Sequence, residues 1–195
     1  EYVFTDISPL FVARAQERYG ADGVVRAQPL DIERDPAAQG VTGEFDIIIA
    51  ANVLHATRDL ADVFQRVRKM LKSNGVLVAL EITRPQDWID ISFGFTEGWW
   101  RFADAWRPDY PLLTKPQWKN FLAAQGYEDV TLLPAESQSA DRLDLNAVII
   151  ARAEAAGSRP IKAARRWLIL ADQSGVSGQL TTVLEQSGAR VATAL

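Results

Sequence analysis

Two short and almost purely apolar runs constrain the fold of this chain most strongly. The first runs from Phe45 to Ala50 and the second from Val76 to Leu80. Strands that are apolar at nearly every position are typical of parallel strands buried on both faces. Between them, apolar residues recur at helical spacing from Leu60 to Leu71, and Asn74-Gly75 follows as a stop signal. This strand–helix–strand order predicts a parallel α/β sheet with right-handed crossovers.

The alternation begins upstream and gives way to a different pattern downstream. A strand at Tyr2–Thr5, a helix opened by Ser8-Pro9 and a strand at Val24–Leu30 come before the two apolar runs. Residues 84–114 then carry four tryptophans and three prolines, which favours an irregular aromatic insertion that packs over the sheet. The following residues predict one more helix and two more strands, at Lys115–Gln125, Val130–Leu133 and Leu145–Ala151.

The remainder of the chain predicts a separate and smaller unit. We expect a first domain over residues 1–152 and a linker over 153–166, because the latter residues are small and basic. Residues 167–195 then predict a partial second α/β unit. Its expected elements are a strand at Trp167–Ala171, a helix from about Gln179 to Gln186 and a strand at Val191–Thr193.

The composition excludes several classes of function. The 195 residues contain no cysteine, which excludes disulfides, thiolate metal sites and cysteine nucleophiles. We see no metal site in the residue pattern. The net charge of −4 and the lack of a long basic run argue against nucleic acid or an anionic membrane as a partner. No apolar stretch approaches the roughly 20 residues of a membrane helix, so we expect a cytoplasmic protein.

Polar residues follow the predicted strands at the edge where open α/β sheets bind ligands. Asp6 follows the first strand, Asp31 the second, Asn52 and His55 the third, and Glu81 the fourth. Asp6 could accept hydrogen bonds from a ribose diol, or serve only as a negative charge at a helix N-terminus. Asp31 could reach an adenine amino group while Ile32 covers the ring, or be an ordinary loop acid.

His55 is the single histidine of the chain and lies between a buried strand and an amphipathic helix. It could move protons near neutral pH, or be a buried histidine bonded to the backbone. Glu81 could orient His55 as the second member of a dyad, or be a solvated acid at a strand end. Trp99 and Trp100 could roof a cleft or form a core patch, and Gly175 and Gly178 give only a weak dinucleotide signal.

Five segments together resemble the S-adenosylmethionine-dependent C-methyltransferase domain of type I polyketide synthases of the reducing, modular kind. They are Tyr2–Ser8, Leu30–Pro36, Ile49–Thr57, Gly75–Thr83 and Phe93–Trp100. The resemblance covers roughly residues 1–152, and Asn-Val-Leu-His-Ala-Thr and Glu-Gly-Trp-Trp are its specific motifs. The tail from Trp167 to Val191 is similar to the start of the structural subdomain of a polyketide ketoreductase.

The resemblance implies a Rossmann-like class I methyltransferase sheet and a mechanism. Its partner would be an acyl carrier protein that presents a β-ketoacyl thioester on phosphopantetheine. The domain would lie beside neighbouring synthase domains, and a homodimer would be the expected assembly. His55 and Glu81 would remove the α-proton, and the enolate would take the methyl group of S-adenosylmethionine. Asp6 would hold the ribose, Asp31 and Ile32 the adenine, and Asn52 would lie beside the methionine part of the cofactor.

The sequence also departs from this family. The first strand and the glycine-rich loop, expected before Tyr2, are not present, so the sheet is incomplete at its N-terminal side and the isolated chain is expected to be inactive. Two alternatives stay open at this point. One is a non-catalytic pseudo-methyltransferase that serves as a scaffold beside the ketoreductase, and the other is a free-standing small-molecule methyltransferase.

Overall fold

A computed structural model describes residues 2–134, 145–154, 166–170, 176–186 and 190–194. The chain forms two compact units, Glu1–Ala156 and Gly157–Leu195. Most of the expected linker, the loop between the last two strands of the first unit, and Gly175 lie outside the described residues. None of the helices in the described ranges has the length and apolar character needed to cross a bilayer.

The first unit is a mixed α/β structure of six strands and four helices within the described residues. In chain order they are β1 (Tyr2–Asp6), α1 (Pro9–Tyr19), β2 (Val25–Pro29), β3 (Phe45–Ala51), α2 (Leu60–Met70), β4 (Leu71–Ile82), α3 (Asp87–Ser92), α4 (Lys115–Ala124), β5 (Tyr127–Leu133) and β6 (Asn146–Ala153). Strand β1 pairs with β2 in parallel. A second sheet has the order β3-β4-β6-β5, in which β3 and β4 are parallel and β6 is antiparallel to both β4 and β5.

Helix α2 packs its apolar side on one face of this second sheet. Its buried residues are spaced three and four apart, at Leu60, Val63, Phe64 and Val67. The ring of Phe64 lies between 4.8 and 5.9 Å from the rings of three aromatic residues, Trp118, Phe121 and Tyr127. Burial of each such side chain contributes about 1.5–3 kcal/mol, so this aromatic cluster fixes α2 and α4 against the sheet.

Strand β4 is the central strand that carries a candidate site residue into the interior. Leu77, Ala79 and Glu81 alternate along it, and each is at most 1% exposed. Alternate residues of a strand point to the same face, so Glu81 continues the buried face at its carboxyl end. The opposite face of the neighbouring strand β3 is open, because Ile47 and Ile49 are 58% and 61% exposed.

Strands β1 and β3 each pair along one edge only. β1 pairs with β2 and β3 with β4, and no ladder joins β1 to β3 among the residues that the structure describes. The predicted single parallel sheet is therefore present as two parallel pairs, the second extended by antiparallel strands. An unpaired edge leaves backbone N–H and C=O groups free to accept a further strand.

The boundary between α2 and β4 differs from the sequence prediction. Helical spacing extends to Leu71, but the helix ends at Met70 and Leu71 already has an extended ψ of 136°. The N–H of Leu71 still donates to Val67, while Leu71 also pairs with Phe45 of β3. The aromatic segment, residues 84–114, contains the short helix α3 and a 3-10 turn at Glu97–Trp100. The periodicity of the sequence did not predict either element.

The second unit contains β7 (Arg166–Leu170), α5 (Val176–Gln186) and β8 (Arg190–Ala194). β7 and β8 are parallel and in register from Arg166–Arg190 to Leu170–Ala194. Helix α5 begins three residues before the expected start at Gln179. The described residues thus form one βαβ unit.

Candidate active site

The structure brings His55 and Glu81 into direct contact. The Nδ1 atom of His55 lies 2.7 Å from Oε2 of Glu81. The other carboxylate oxygen, Oε1, accepts the backbone N–H of Leu54 at 2.9 Å. Glu81 is fully buried, and it is the penultimate residue of β4 rather than the first residue after that strand. The sequence prediction placed it just past the strand end, which is wrong by two positions.

The contact defines which nitrogen of His55 is free to act. An ionised carboxylate can only accept hydrogen bonds, so the proton of this pair lies on Nδ1 and the lone pair of the neutral ring lies on Nε2. The side chain of His55 is 10% exposed, which leaves a narrow path to the ring. The structure does not match a solvated acid at position 81, because Glu81 is buried. It also does not match a histidine bonded only to the backbone, because His55 is bonded to a carboxylate.

Trp99 and Trp100 have different environments. Trp99 is 8% exposed, and its ring centroid lies 5.7 Å from that of His55 in an edge-to-face arrangement. Its Nε1 has no hydrogen-bond partner within the described part of the chain. Trp100 is 48% exposed and stacks edge-on against Tyr110, and its Nε1 donates to Gly94. Trp99 therefore lies beside the dyad. Trp100 makes no ring contact with His55 among the described residues.

Tyr110 closes the other side of Trp99. Its ring lies 6.3 Å from the ring of Trp99, and its hydroxyl donates to Asp90 at 2.7 Å. Burial raises the pKa of Tyr110, and the hydrogen bond to Asp90 raises it further. The phenol of Tyr110 is therefore neutral at every physiological pH, and Tyr110 adds no charge beside Trp99.

Asp6 and Asp31 lie at the carboxyl ends of the paired strands β1 and β2. Oδ1 of Asp6 accepts the N–H of Ser8 at 2.7 Å, and Oδ1 of Asp31 accepts the N–H of Glu33 at 2.9 Å. The side chain of Gln39 holds the backbone of Asp31 from both its N–H and its carbonyl, each at 2.9 Å. Among the described residues, no donor reaches the second carboxylate oxygen of either aspartate, so each has one oxygen available to a ligand.

Ile32 and Asn52 complete the predicted set. Ile32 is half-buried and packs against the main core. Asn52 follows β3 directly, is exposed and has a φ of 50°, a left-handed conformation that asparagine tolerates better than most residues. Its N–H donates to the carbonyl of Leu80 at 2.7 Å, which fixes the turn that leads from β3 to His55.

Glu33 links the loop of Asp31 to the segment that follows His55. Its Oε1 accepts the backbone N–H of Arg58 at 2.6 Å, and its Oε2 pairs with the guanidinium of Arg101. An open cleft of about 490 Å³ beside α2 is lined by these charged residues and others, and none of the predicted site residues borders it.

Two residues that the sequence prediction did not include hold the turn around His55. Arg107 and Asp104 form a buried ion pair, and Arg107 donates to backbone carbonyls of that turn. No sequence signal identifies them, because they lie about 50 residues after His55 in an aromatic segment without periodicity. Elsewhere in the described ranges, no group of three His, Cys, Asp or Glu side chains is placed to hold a metal ion.

The dyad can act as a general base. A neutral imidazole with its Nδ1–H bonded to a buried carboxylate presents a basic nitrogen, and the carboxylate stabilises the imidazolium that forms when Nε2 takes a proton. The site is lined on one side by the buried ring of Trp99, which limits access of water. This arrangement suits abstraction of a proton from an acidic carbon or hydroxyl.

Comparison with known proteins is consistent with this geometry. Residues 1–77 match the family model of a methyltransferase domain. The non-reducing polyketide synthase dpmpA of Macrophomina phaseolina is 43% identical over 146 residues, which are 72% of this chain and 6% of that relative. The chain thus spans only a small part of the curated relatives that it matches.

Solved structures give the same result. The CurJ carbon methyltransferase is 45% identical with a TM-score of 0.74, and the match covers 80% of this chain and 42% of that one. The trans-methyltransferase CalH, solved as a complex with SAH, is 36% identical with a TM-score of 0.67. That match covers 78% of this chain and 42% of the CalH chain. Shared sequence and shared fold together show that this chain carries a class I methyltransferase domain of the kind found in polyketide synthases.

Proposed function

We propose that this chain is part of a polyketide synthase that methylates the α-carbon of a β-ketoacyl thioester, with S-adenosylmethionine as the methyl donor. The observation that carries the proposal is the His55–Glu81 pair, in which a buried carboxylate fixes the protonated Nδ1 and leaves Nε2 as the base. The acyl chain would be held on the phosphopantetheine arm of an acyl carrier protein, because the relatives are large multidomain synthases.

The residues of the dyad suit the acidity of this substrate. An α-carbon between a ketone and a thioester is acidic enough for one moderate base near neutral pH. His55 Nε2 takes the α-proton, the C–H electron pair moves into the enolate, and Glu81 balances the charge of the imidazolium. When bound, S-adenosylmethionine would supply a methyl group activated by its sulfonium. The enolate carbon would bond to this methyl group as the methyl–sulfur bond breaks, and S-adenosylhomocysteine would leave as a neutral thioether. Trp99 excludes water from the base, so that the proton is taken from carbon.

The aspartates at the ends of β1 and β2 fit the polar parts of this cofactor. We assign Asp6 to the ribose hydroxyls, because its free carboxylate oxygen lies at the usual position for an acid that binds a diol. Asp31 and Ile32 would hold the adenine, by a hydrogen bond to its amino group and by contact with the ring. Asn52, at the end of β3, would lie near the methionine part. The match to CalH, a complex with SAH, supports this cofactor class.

We propose that a further strand completes the cofactor pocket. The free edges of β1 and β3 and the exposed Ile47 and Ile49 support such a strand between the two parallel pairs, and the glycine-rich loop after it is what the family resemblance implies. Calorimetric titration of S-adenosylmethionine into this chain and into a longer chain that begins upstream tests this point. We expect binding by the longer chain alone, and binding by the short chain would contradict it.

The dyad itself is tested by His55→Ala in the full-length polypeptide. We expect α-methylation to be lost while chain elongation continues and the affinity for S-adenosylmethionine stays within about twofold, since His55 acts on the acyl chain. Product mass, with and without the added 14 Da, separates the two activities. Unchanged methylation in this variant would refute the assignment of His55 as the base.

A structural pseudo-methyltransferase is the second candidate. The unpaired edges of β1 and β3 are compatible with either candidate, whereas the aligned His55–Glu81 contact has no purpose in a scaffold. The upstream sequence separates the two, since an intact glycine-rich loop supports the enzyme and a degraded loop supports the scaffold. The ketoreductase subdomain and the reducing type of synthase stay predictions, with which the parallel β7–α5–β8 unit is compatible. A homodimer and a cytoplasmic location stay predictions.

A further inference from the structure

We infer that Arg107, held by Asp104, is a positioning residue for the base His55. The inference rests on the proposed role of His55 in proton abstraction. It concerns the turn from Leu54 to Arg58, here called the histidine turn, which connects β3 to α2. Arg107 contacts neither the imidazole nor any predicted cofactor residue, so it would act through the backbone of this turn.

The guanidinium of Arg107 holds three carbonyls of the histidine turn. Nη1 donates to the carbonyl of His55 at 2.7 Å, and Nη2 donates to the carbonyls of Thr57 at 2.7 Å and Arg58 at 3.2 Å. The hydroxyl of Thr57 donates in turn to the carbonyl of Leu54 at 2.7 Å. Four of the five carbonyls of the histidine turn, all except that of Ala56, therefore accept a hydrogen bond from a side chain.

Asp104 fixes Arg107 and joins it to the start of α2. Its Oδ2 accepts from Nε of Arg107 at 2.9 Å and from Nη2 at 2.5 Å, and it also accepts the N–H of Leu60 at 3.1 Å. Its Oδ1 accepts the N–H groups of Trp106 and Arg107. The side chains of Arg107 and Asp104 are 0% and 4% exposed. The pair is thus buried with its hydrogen-bonding capacity well used.

The burial of this pair calls for an explanation beyond stability. Removing two charges from water is costly, and well-packed apolar residues are often as stable in such a place. What an apolar residue cannot do is fix three carbonyls at defined points. His55 is then held twice, by Glu81 at Nδ1 and by Arg107 at its own carbonyl. A misplacement of about 1 Å in a base lowers catalysis about 100-fold, so a rigid turn has a direct effect on rate.

Lysine is the informative replacement at position 107. It keeps the positive charge beside Asp104, but it presents a single ammonium with three donors in place of a planar fork with five. We expect Arg107→Lys in the full-length polypeptide to lower kcat about 100-fold. The KM for the acyl thioester and the Kd for S-adenosylmethionine should stay within about threefold, because the variant changes no residue proposed to bind them.

Exchange of the α-hydrogens provides the readout that a purely structural role would not change. A β-ketoacyl pantetheine thioester in D2O gains deuterium at the α-carbon when the base works, and the spontaneous rate is measured without protein and subtracted. Arg107→Lys should lower the exchange rate by the same factor as kcat, with an unchanged melting temperature within a few degrees. Arg152→Lys is the matched control, since Arg152 is likewise an arginine paired with acids, here Glu128 and Asp129, far from the histidine turn in sequence.

The outcomes separate this inference from the proposed function. If His55→Ala still exchanges at the normal rate, the proposed function fails. If His55→Ala is inactive and folded Arg107→Lys exchanges like wild type, the function stands and the positioning role is refuted. A rise in Kd with normal exchange also refutes it, since Arg107 would then serve the cofactor. Should Arg107→Lys not fold, Asp104→Asn replaces it, with an expected loss of about tenfold in exchange, and normal exchange in that folded variant refutes the inference.

Discussion

Replacement of Glu81 by glutamine tests the central contact of the site with the smallest change of shape. In Glu81→Gln the amide oxygen can still accept the N–H of Leu54, which lies 2.9 Å from Oε1 of Glu81 in the wild type. The amide NH2 group then faces His55, where Oε2 now lies 2.7 Å from Nδ1. An NH2 group donates, so Nδ1 must accept and the ring proton moves to Nε2. The variant keeps the fold and removes the basic nitrogen from the substrate side.

The expected loss follows from the worth of a general base. General acid–base catalysis contributes about 10²–10⁴-fold, so we expect kcat for methylation to fall by that factor, or about 3–5 kcal/mol in the barrier. The change in unfolding free energy should be about 1–2 kcal/mol, because one charge-assisted hydrogen bond becomes a neutral one. The loss of activity is then far larger than the loss of stability.

The assay follows methyl transfer to a carrier-bound or pantetheine-bound β-ketoacyl chain by mass spectrometry, with the full-length polypeptide. Melting temperature and affinity for S-adenosylmethionine are measured on the same preparation. Glu128→Gln is the matched control, because Glu128 is exposed and pairs with Arg152 on the surface. A folded Glu81→Gln variant that binds the cofactor normally and methylates at more than a third of the wild-type rate would refute the tautomer argument.

Three further predictions concern the cofactor, the core and the surface. In the longer chain, Asp6→Asn should weaken binding of S-adenosylmethionine about tenfold in calorimetry, since a hydrogen bond to a charged group is worth about 1.5–3 kcal/mol, and an unchanged Kd would contradict the ribose assignment. Burial raises the pKa of Tyr127, and its hydroxyl has no hydrogen-bond partner within the described residues. Tyr127→Phe should therefore keep or raise the free energy of unfolding measured in urea. A clear loss of that free energy would show that the hydroxyl is hydrogen-bonded. The hydrogen bond from Lys72 lowers the pKa of Asp46 below 3.8, so the stabilisation by this pair is present above that pH and disappears as the pH falls through the lowered value. The difference in melting temperature between wild type and Lys72→Met should therefore shrink in acid, and a constant difference from pH 7 to pH 2 would contradict it.

The parts of the fold that the sequence predicted well are those with strong local patterns. The apolar run of β3 and the stripe of α2 were placed correctly, because their periodicity matches how each element is buried. The run Val76–Leu80 does lie in β4, but the strand extends from Leu71 to Ile82 and contains the Asn74-Gly75 pair that was predicted as a stop signal. The end of α2 was not, because Leu71 satisfies the helical pattern and the strand pairing together. Only the partner strand decides between them, and that contact is not local.

The candidate site shows the same limit. Placing His55 and Glu81 at the ends of neighbouring strands brought them near each other, which needed only the order of the elements. Distinguishing Trp99 from Trp100 needed the 3-10 turn that directs one inward and the other outward. Arg107 was beyond reach, since its partners are carbonyl groups, which every residue has and no sequence pattern marks.

The bridge through Glu33 has a consequence for how the affinities of the two ligands depend on each other. Asp31 accepts the N–H of Glu33, and the carboxylate of Glu33 holds Arg58 and Arg101, so the proposed adenine loop and the histidine turn share one tether. A ligand that makes the adenine loop or the histidine turn more rigid also restricts the other one. The second ligand then pays a smaller cost in conformational entropy when it binds. We therefore expect positive cooperativity between cofactor and acyl chain. Thermodynamic linkage requires that each raise the affinity of the other by the same factor.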